Sequence, residues 1–207
     1  MNCVSVSHRT ATVARQVRLF DRDEYAPLAI VDDESGRIVY YPAVFSVEES
    51  NSIFSQLSAR TLWNQETMRM YDRLVTVPRL TAAYREMATL PDVLKVVRER
   101  VERSVCFEFN AVSLNYYRDA HDSVAWHNDH TEELIGGGAV ALASFGATRQ
   151  MLLRTKARPR KTCACDLEAG SVLLMSGATQ QFWEHHIPKV NRPTAPRISV
   201  ALRQRPI

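Results

Sequence analysis

An α+β chain is the fold class this sequence predicts: N-terminal helices packed on one side of a β jelly-roll, or double-stranded β-helix, core. Two observations carry the prediction. Two stretches before residue 107 repeat apolar residues at helical spacing. From residue 107 to about 205 the chain breaks into short β-type runs divided by turns: "AVSLNYY", "AVALASF", "RQMLLRT", "TCACDL", "SVLLMS", "QQFWEHHI" and "RISVALRQR". Many short strands at close spacing point to a barrel or sandwich. At 207 residues, the span 1–207 suits one domain with its own core.

Residues 1–35 form the least readable part, an N-terminal extension without clear periodicity. "DDESG" (32–36) reads as a turn and "RIVYYPAVF" as a strand. "SVEES" opens a helix. Ser46 is the N-cap, Glu49 stands at the capping-box spacing, and Ile53, Phe54 and Leu57 supply an apolar face. Trp63 to Leu90 reads as loop-rich. A second helix starts near Pro91-Asp92, with Asp92 as cap and Val93, Val96, Val97, Val101 and Val105 at helical spacing. Gly136, Gly137 and Gly138 fit a turn between two core strands.

A hydrophobic content of 45% and a charged content of 24% are ordinary for a globular protein. The net charge of +3 permits a nucleic-acid partner without demanding one. No apolar run is long enough to span a bilayer, and the first residues lack the apolar core of a secretory signal. Cys3, Cys106, Cys163 and Cys165 form no disulfide framework. Cys163 and Cys165 share a strand face, but C-x-C alone is a weak metal signal. The expectation is a cytoplasmic monomer with reduced thiols and no membrane partner.

The stretch "SVAWHNDHTE" (123–132) has two readings: a polar turn, or a metal-binding edge in His127-x-Asp129. On a strand, residues two apart point the same way. Two imidazoles and a carboxylate form the facial triad of non-haem Fe(II) oxygenases. A distant strand would supply the second imidazole, from His185 or His186. In "RISVALR" the residues Arg197, Ser199, Ala201 and Arg203 share one face, and Ile198, Val200 and Leu202 the other. Two cations with small residues between them can bracket a small dianion, which guanidinium grips in a bidentate fork. Asn115 and Tyr117, also two apart, can finish hydrogen bonds to the same anion.

Taken together, "VPRLTAAY", "FNAVSLNYYRDAHDSVAWHND", "ASFGATRQMLLR", "LEAGSVLLMSGATQQFWEHHIP" and "PRISVALR" resemble the AlkB family of Fe(II)- and 2-oxoglutarate-dependent nucleic-acid dealkylases. Several segments in order make this a specific match over most of the chain. The resemblance implies Fe(II), 2-oxoglutarate and O₂, held on a jelly-roll core. It implies oxidative demethylation of bases of the 1-methyladenine and 3-methylcytosine type in DNA or RNA, with single strands preferred. The family pattern of aromatic, any residue, His, any residue, apolar, Pro falls on Trp183 to Pro188 and assigns the metal to His185 beside His127 and Asp129. By the same likeness Arg197 takes the distal carboxylate of 2-oxoglutarate, Arg203 lies near the metal, and Asn115, Tyr117 and Ser199 complete the cosubstrate site.

The departures from the family pattern touch substrate more than iron. Thr131, next to Glu132, stands where relatives carry an acidic residue that meets the damaged base. Ser199 replaces an asparagine, and Ala201 and Leu202 replace threonine and phenylalanine. The lid between "VPRLTAAYREMATLP" and the second helix is short, and Ala83 and Arg85 flank Tyr84 in place of a bulky residue and a glycine. Substrate contacts are expected from Trp63, Tyr71, Arg79, Tyr84, Thr131 and Glu132, with Arg69 and Arg73 near them. "RTKARPRK" (154–161) is a candidate phosphate-contacting hairpin. Two rival functions are an oxygenase acting on a protein or small molecule, and a catalytically silent binding module.

Overall fold

The computed structural model describes residues 25–70, 72–129 and 138–206. A seven-stranded antiparallel sheet forms one layer. Its strands, in spatial order, are β1 (Leu28–Asp33), β2 (Gly36–Tyr41), β11 (Val172–Ser176), β8 (Val140–Gly146), β13 (Arg197–Arg203), β6 (Ala111–Tyr117) and β5 (Leu80–Tyr84). The facing layer has four strands: β10 (Thr162–Leu167), β9 (Arg149–Thr155), β12 (Trp183–Ile187) and β7 (Val124–His127). Among the described residues, β3 (Thr67–Met70) and β4 (Arg73–Thr76) pair only with each other, as a separate hairpin.

Two helices cover the outer face of the large sheet. α1 (Val47–Arg60) begins with the capping box expected of it: the Glu49 amide donates to Ser46 Oγ, and Glu49 accepts from the Ser46 amide. Ile53 and Leu57 are buried and Phe54 is half-buried. α2 (Asp92–Val105) buries Leu94, Val97, Val101 and Val105 in the same cluster. Ile198, Val200 and Leu202 of β13 enter this cluster from the sheet. A second core, including Leu142, Met151, Leu153, Met175 and Ile187, fills the space between the sheets. Period-two alternation therefore puts one face of β13 under the helices and leaves the other for the interior of the jelly roll.

The structure corrects the sequence reading in five places. β1 lies inside the stretch that carries no readable periodicity. Trp63 to Leu90 holds β3, β4 and β5 rather than loop; β5 reads "LTAAY", whose small residues give little alternation, and pairing with β6 creates it. Asp92 is the first helical residue and not the cap: Pro91 caps by its carbonyl, accepting from Leu94 and Lys95, while Asp92 pairs with Lys95 at 2.9 Å. Val96 is 53% exposed, because the apolar stripe of α2 runs through Leu94 instead. "QQFW" also begins as one helical turn, α3 (Thr179–Phe182), before β12.

α3 packs on the turn between β1 and β2. Gly36 has φ +133°, and a Cβ there would collide with Thr179. Cys106 is exposed, Cys163 half-buried and Cys165 buried, all as free thiols. Burial pushes the Cys165 thiol up to about 12, so it is inert. Cys3, Gly136 and Gly137 lie outside the described residues. No helix among the described residues is long and apolar enough to cross a membrane.

Candidate active site

The interior face of β13 and the adjoining ends of β7 and β12 border one cleft of about 1060 Å³. His127 is the last residue of β7, and its Cα partner in β12 is His185. Their ring centroids are 4.2 Å apart. The His127 Nδ1 lies 2.8 Å from the Ala125 carbonyl, which can only accept, so the proton sits on Nδ1 and the Nε2 lone pair faces the cleft. Burial pushes the His185 imidazole down to about 3, with His127 adding to the effect, and burial also lowers His127. Both rings are neutral at physiological pH, the state in which imidazole binds metal.

Asp129 does not share the strand with His127, so alternation alone does not explain its aim. It lies two residues beyond β7 and is fixed from three sides. Its amide donates to Gln180 Oε1 of α3 at 2.8 Å, and its carbonyl accepts from Asn128 at 2.9 Å. Its Oδ1 accepts from Arg203 Nε at 2.8 Å and lies 2.6 Å from Nη2. Burial raises the carboxyl, but the charge of Arg203 and its hydrogen bond outweigh it and hold the group below its usual range. Both arginine contacts use Oδ1, and among the described residues no hydrogen bond is made to Oδ2. Among the described residues no three His, Cys, Asp or Glu side chains are already gathered as ligands around one point. The donor set is nonetheless chemically complete: two neutral imidazoles and one ionised carboxylate.

His186 points the other way. Its Nδ1 meets the Val124 carbonyl and its ring stacks on Trp126 at 5.1 Å, on the outside of the small sheet.

At the far end of β13 lies Arg197, 1% exposed. Its Nη2 donates to Ser144 Oγ at 2.9 Å, while among the described residues Nε and Nη1 meet no hydrogen-bond partner within bonding geometry, the Tyr117 hydroxyl being the polar group nearest to help hold the charge. Burial pushes the guanidinium down to about 10, which leaves it charged at neutral pH. A buried cation with two unmet donors fits a bound carboxylate. Tyr117 lies 5.3 Å from this guanidinium, and Ser199 sits in register between Asn115 and Ser144. Arg203 is held by Ser113 Oγ at 2.6 Å as well as by Asp129. Asn115 Oδ1 already accepts from Arg79 Nε at 2.7 Å, which brings Arg79 to the cleft wall.

Residues 79–205 match the 2OG-Fe(II) oxygenase superfamily. The Mus musculus protein named alpha-ketoglutarate-dependent dioxygenase alkB homolog 3 is 31% identical over 211 residues, covering 92% of this chain and 73% of that protein. The chain belongs to the AlkB family. A second mouse relative, named DNA oxidative demethylase ALKBH2, is 30% identical over 187 residues, covering 79% of this chain and 78% of its own. The solved structure of OsALKBH1 shares the fold with a TM-score of 0.59 at 14% identity, over 86% of this chain and all of that one. So does the alpha-ketoglutarate-dependent epimerase SnoN, with a TM-score of 0.59 at 12% identity over 80% and 78%. As an AlkB-family member the protein is a 2-oxoglutarate-dependent dioxygenase, with Fe(II), 2-oxoglutarate and O₂ as its cofactors and cosubstrates.

The residues expected around the AlkB substrate divide. Arg79 lines the cleft. Tyr84 borders it, but its side chain packs into the cluster beneath the helices. Trp63 is a correction: it stacks on Tyr116 at 5.1 Å within that same cluster, because Tyr116 lies on the helix face of β6. Arg69 and Arg73 are exposed on the β3–β4 hairpin. Tyr71, Thr131 and Glu132 lie outside the described residues. The basic run 154–161 is largely engaged already. Arg154 pairs with Glu184 at 2.7 Å, Lys156 donates to the Gln180 carbonyl at 2.9 Å, and Lys161 lies 3.6 Å from Asp33. Gln180, Ser113 and Ser144 were not visible as site residues in the sequence. Each works through a partner distant in the chain.

Proposed function

We propose that the protein is a nucleic-acid repair dioxygenase that removes N-methyl groups from alkylated bases of the 1-methyladenine and 3-methylcytosine type. It acts as a monomer and prefers single strands. The observation that carries the reading is the arrangement along β13: an unsatisfied buried guanidinium at Arg197 and, six residues on, Arg203 gripping the carboxylate beside two neutral imidazoles. The names of the mouse relatives support the nucleic-acid substrate.

His127, Asp129 and His185 would hold Fe(II). Arg197 would take the distal carboxylate of 2-oxoglutarate, with Tyr117, Ser199 and Asn115 completing the polar wall. When bound, the iron and 2-oxoglutarate use O₂ to oxidise the N-methyl carbon, which departs as formaldehyde alongside succinate and CO₂. Arg203 keeps Asp129 ionised and oriented. Arg79 offers a cation on the cleft wall to meet the nucleic-acid substrate. A base unpaired from its partner enters such a cleft at a lower unstacking cost than one taken from a duplex.

The test is mass spectrometry of 1-methyladenine and 3-methylcytosine oligonucleotides, as single- and double-stranded DNA and as RNA, with Fe(II), ascorbate and 2-oxoglutarate. Loss of a methyl mass that requires 2-oxoglutarate, fastest on single strands, is expected. Succinate formation without demethylation on any oligonucleotide overturns the substrate and points to a protein or small molecule instead.

A further inference from the structure

We infer that Trp126, Arg154 and Glu184, with His186, form a clamp on the outside of the small sheet that positions His127 against His185. The inference rests on the assignment of His127, Asp129 and His185 as the iron ligands.

The backbone alone fixes β7 poorly. β7 is four residues long and lies at the edge of its sheet. It pairs with β12 at His185↔His127 and Ile187↔Val124, with an irregularity between them. A ligand at the end of so short an edge strand still has to be held within about 0.5 Å for metal chemistry. Residue alternation supplies the means, because Trp126 and His186 each precede or follow a ligand and point away from the cleft.

On that outer face the side chains interlock. The Arg154 guanidinium carbon lies 3.9 Å from the Trp126 ring centroid. Arg154 donates to Glu184 Oε2 through Nε at 2.9 Å and Nη2 at 2.7 Å. Arg154 and Glu184 are direct partners in the β9–β12 pairing. The other side of the cluster closes through His186, whose ring stacks on Trp126 and whose Nδ1 donates to the Val124 carbonyl. That last contact ties β12 to β7 across the irregular part of their ladder. The Arg154 and Glu184 side chains are only 22% and 21% exposed, so the ion pair is partly shielded from water. The four residues bridge β9, β12 and β7, and none of them lines the cleft. They are positioning residues, acting on the metal edge from behind.

The test is Co(II) binding to the full chain without 2-oxoglutarate, by calorimetry and by the visible spectrum of bound Co(II), together with melting of the metal-free protein. The proteins compared are wild type, Trp126→Leu, Trp126→Phe, Arg154→Gln and His127→Ala. Wild type binds one Co(II) and His127→Ala loses it; binding unchanged in His127→Ala overturns the ligand assignment itself. Given that result, Trp126→Leu and Arg154→Gln weaken Co(II) about tenfold or more and shift its spectrum, within the range seen for groups that orient metal ligands. Trp126→Phe, which keeps an aromatic face under the guanidinium, restores most of the affinity. Lower melting temperatures with wild-type Co(II) affinity in both Trp126→Leu and Arg154→Gln overturn the clamp. Equal loss in Trp126→Phe and Trp126→Leu does so as well.

Discussion

Arg203 and Asp129 are 74 residues apart in sequence, and the guanidinium Nη2 lies 2.6 Å from the carboxylate Oδ1. The pair links the last strand to the loop after β7. Both side chains are largely buried, so neither charge is satisfied by water. Arg203→Met leaves a buried carboxylate without its cation, at a cost of about 3–5 kcal/mol. The expected outcome is a lower melting temperature, a higher pKa for Asp129 and weakened Fe(II) binding. Thermal unfolding and anaerobic metal titration measure both effects.

Arg197 behaves differently, because its charge is already under-satisfied. Arg197→Met removes the buried cation together with its unmet donors, so the apoprotein is expected to melt no lower than wild type. Binding of 2-oxoglutarate weakens by roughly 10²-fold, corresponding to the loss of about 1.5–3 kcal/mol per charged hydrogen bond. Differential scanning fluorimetry with and without 2-oxoglutarate shows this as a ligand-induced stabilisation present in wild type and absent in the variant.

Gln180 holds the Asp129 amide at 2.8 Å from a helix of one turn. Gln180→Ala frees that amide and loosens the loop carrying the carboxylate. Metal affinity is expected to fall about tenfold, as for other groups that orient a ligand. The far-ultraviolet circular dichroism should remain that of wild type.

Asp122 is the buried anchor of the turn between β6 and β7. It accepts from the Arg118 amide, Nε and Nη2 at 2.7–2.8 Å. Burial raises its carboxyl, but the hydrogen bonds and charge of Arg118 outweigh this and hold it below its ordinary value. A folded-state value below the unfolded one, about 3.9, means the stabilisation is complete above that pH. It is lost as the pH falls through the folded-state value. Asp122→Asn should cost about 1–3 kcal/mol at pH 7. The gap from wild type should narrow as acid is added below pH ~4, as read by urea unfolding at a series of pH values.

Local chemistry made much of this protein legible from sequence. Ser46 and Glu49 announce α1 because a capping box is completed within four residues. The two faces of β13 are readable because alternation needs only the strand itself, and Arg197, Ser199 and Arg203 do share the interior face. β5 was not readable, since "LTAAY" acquires its two faces only by pairing with β6. Nor was the side of the sheet on which Trp63 falls, which is set by its stacking on Tyr116. His185 and His186 are equal in composition and adjacent in sequence, and the family pattern alone separated them. The fold supplies the physical reason: pairing of His185 with His127 turns one ring inward and leaves the other on Trp126. Sequence by itself determined the residue types of the site and the alternation that aims most of them. Tertiary structure decided which partners complete them, such as Arg203 on Asp129, Gln180 on the Asp129 amide and Ser144 on Arg197. Those contacts join segments distant in the chain, and no local spacing rule encodes them.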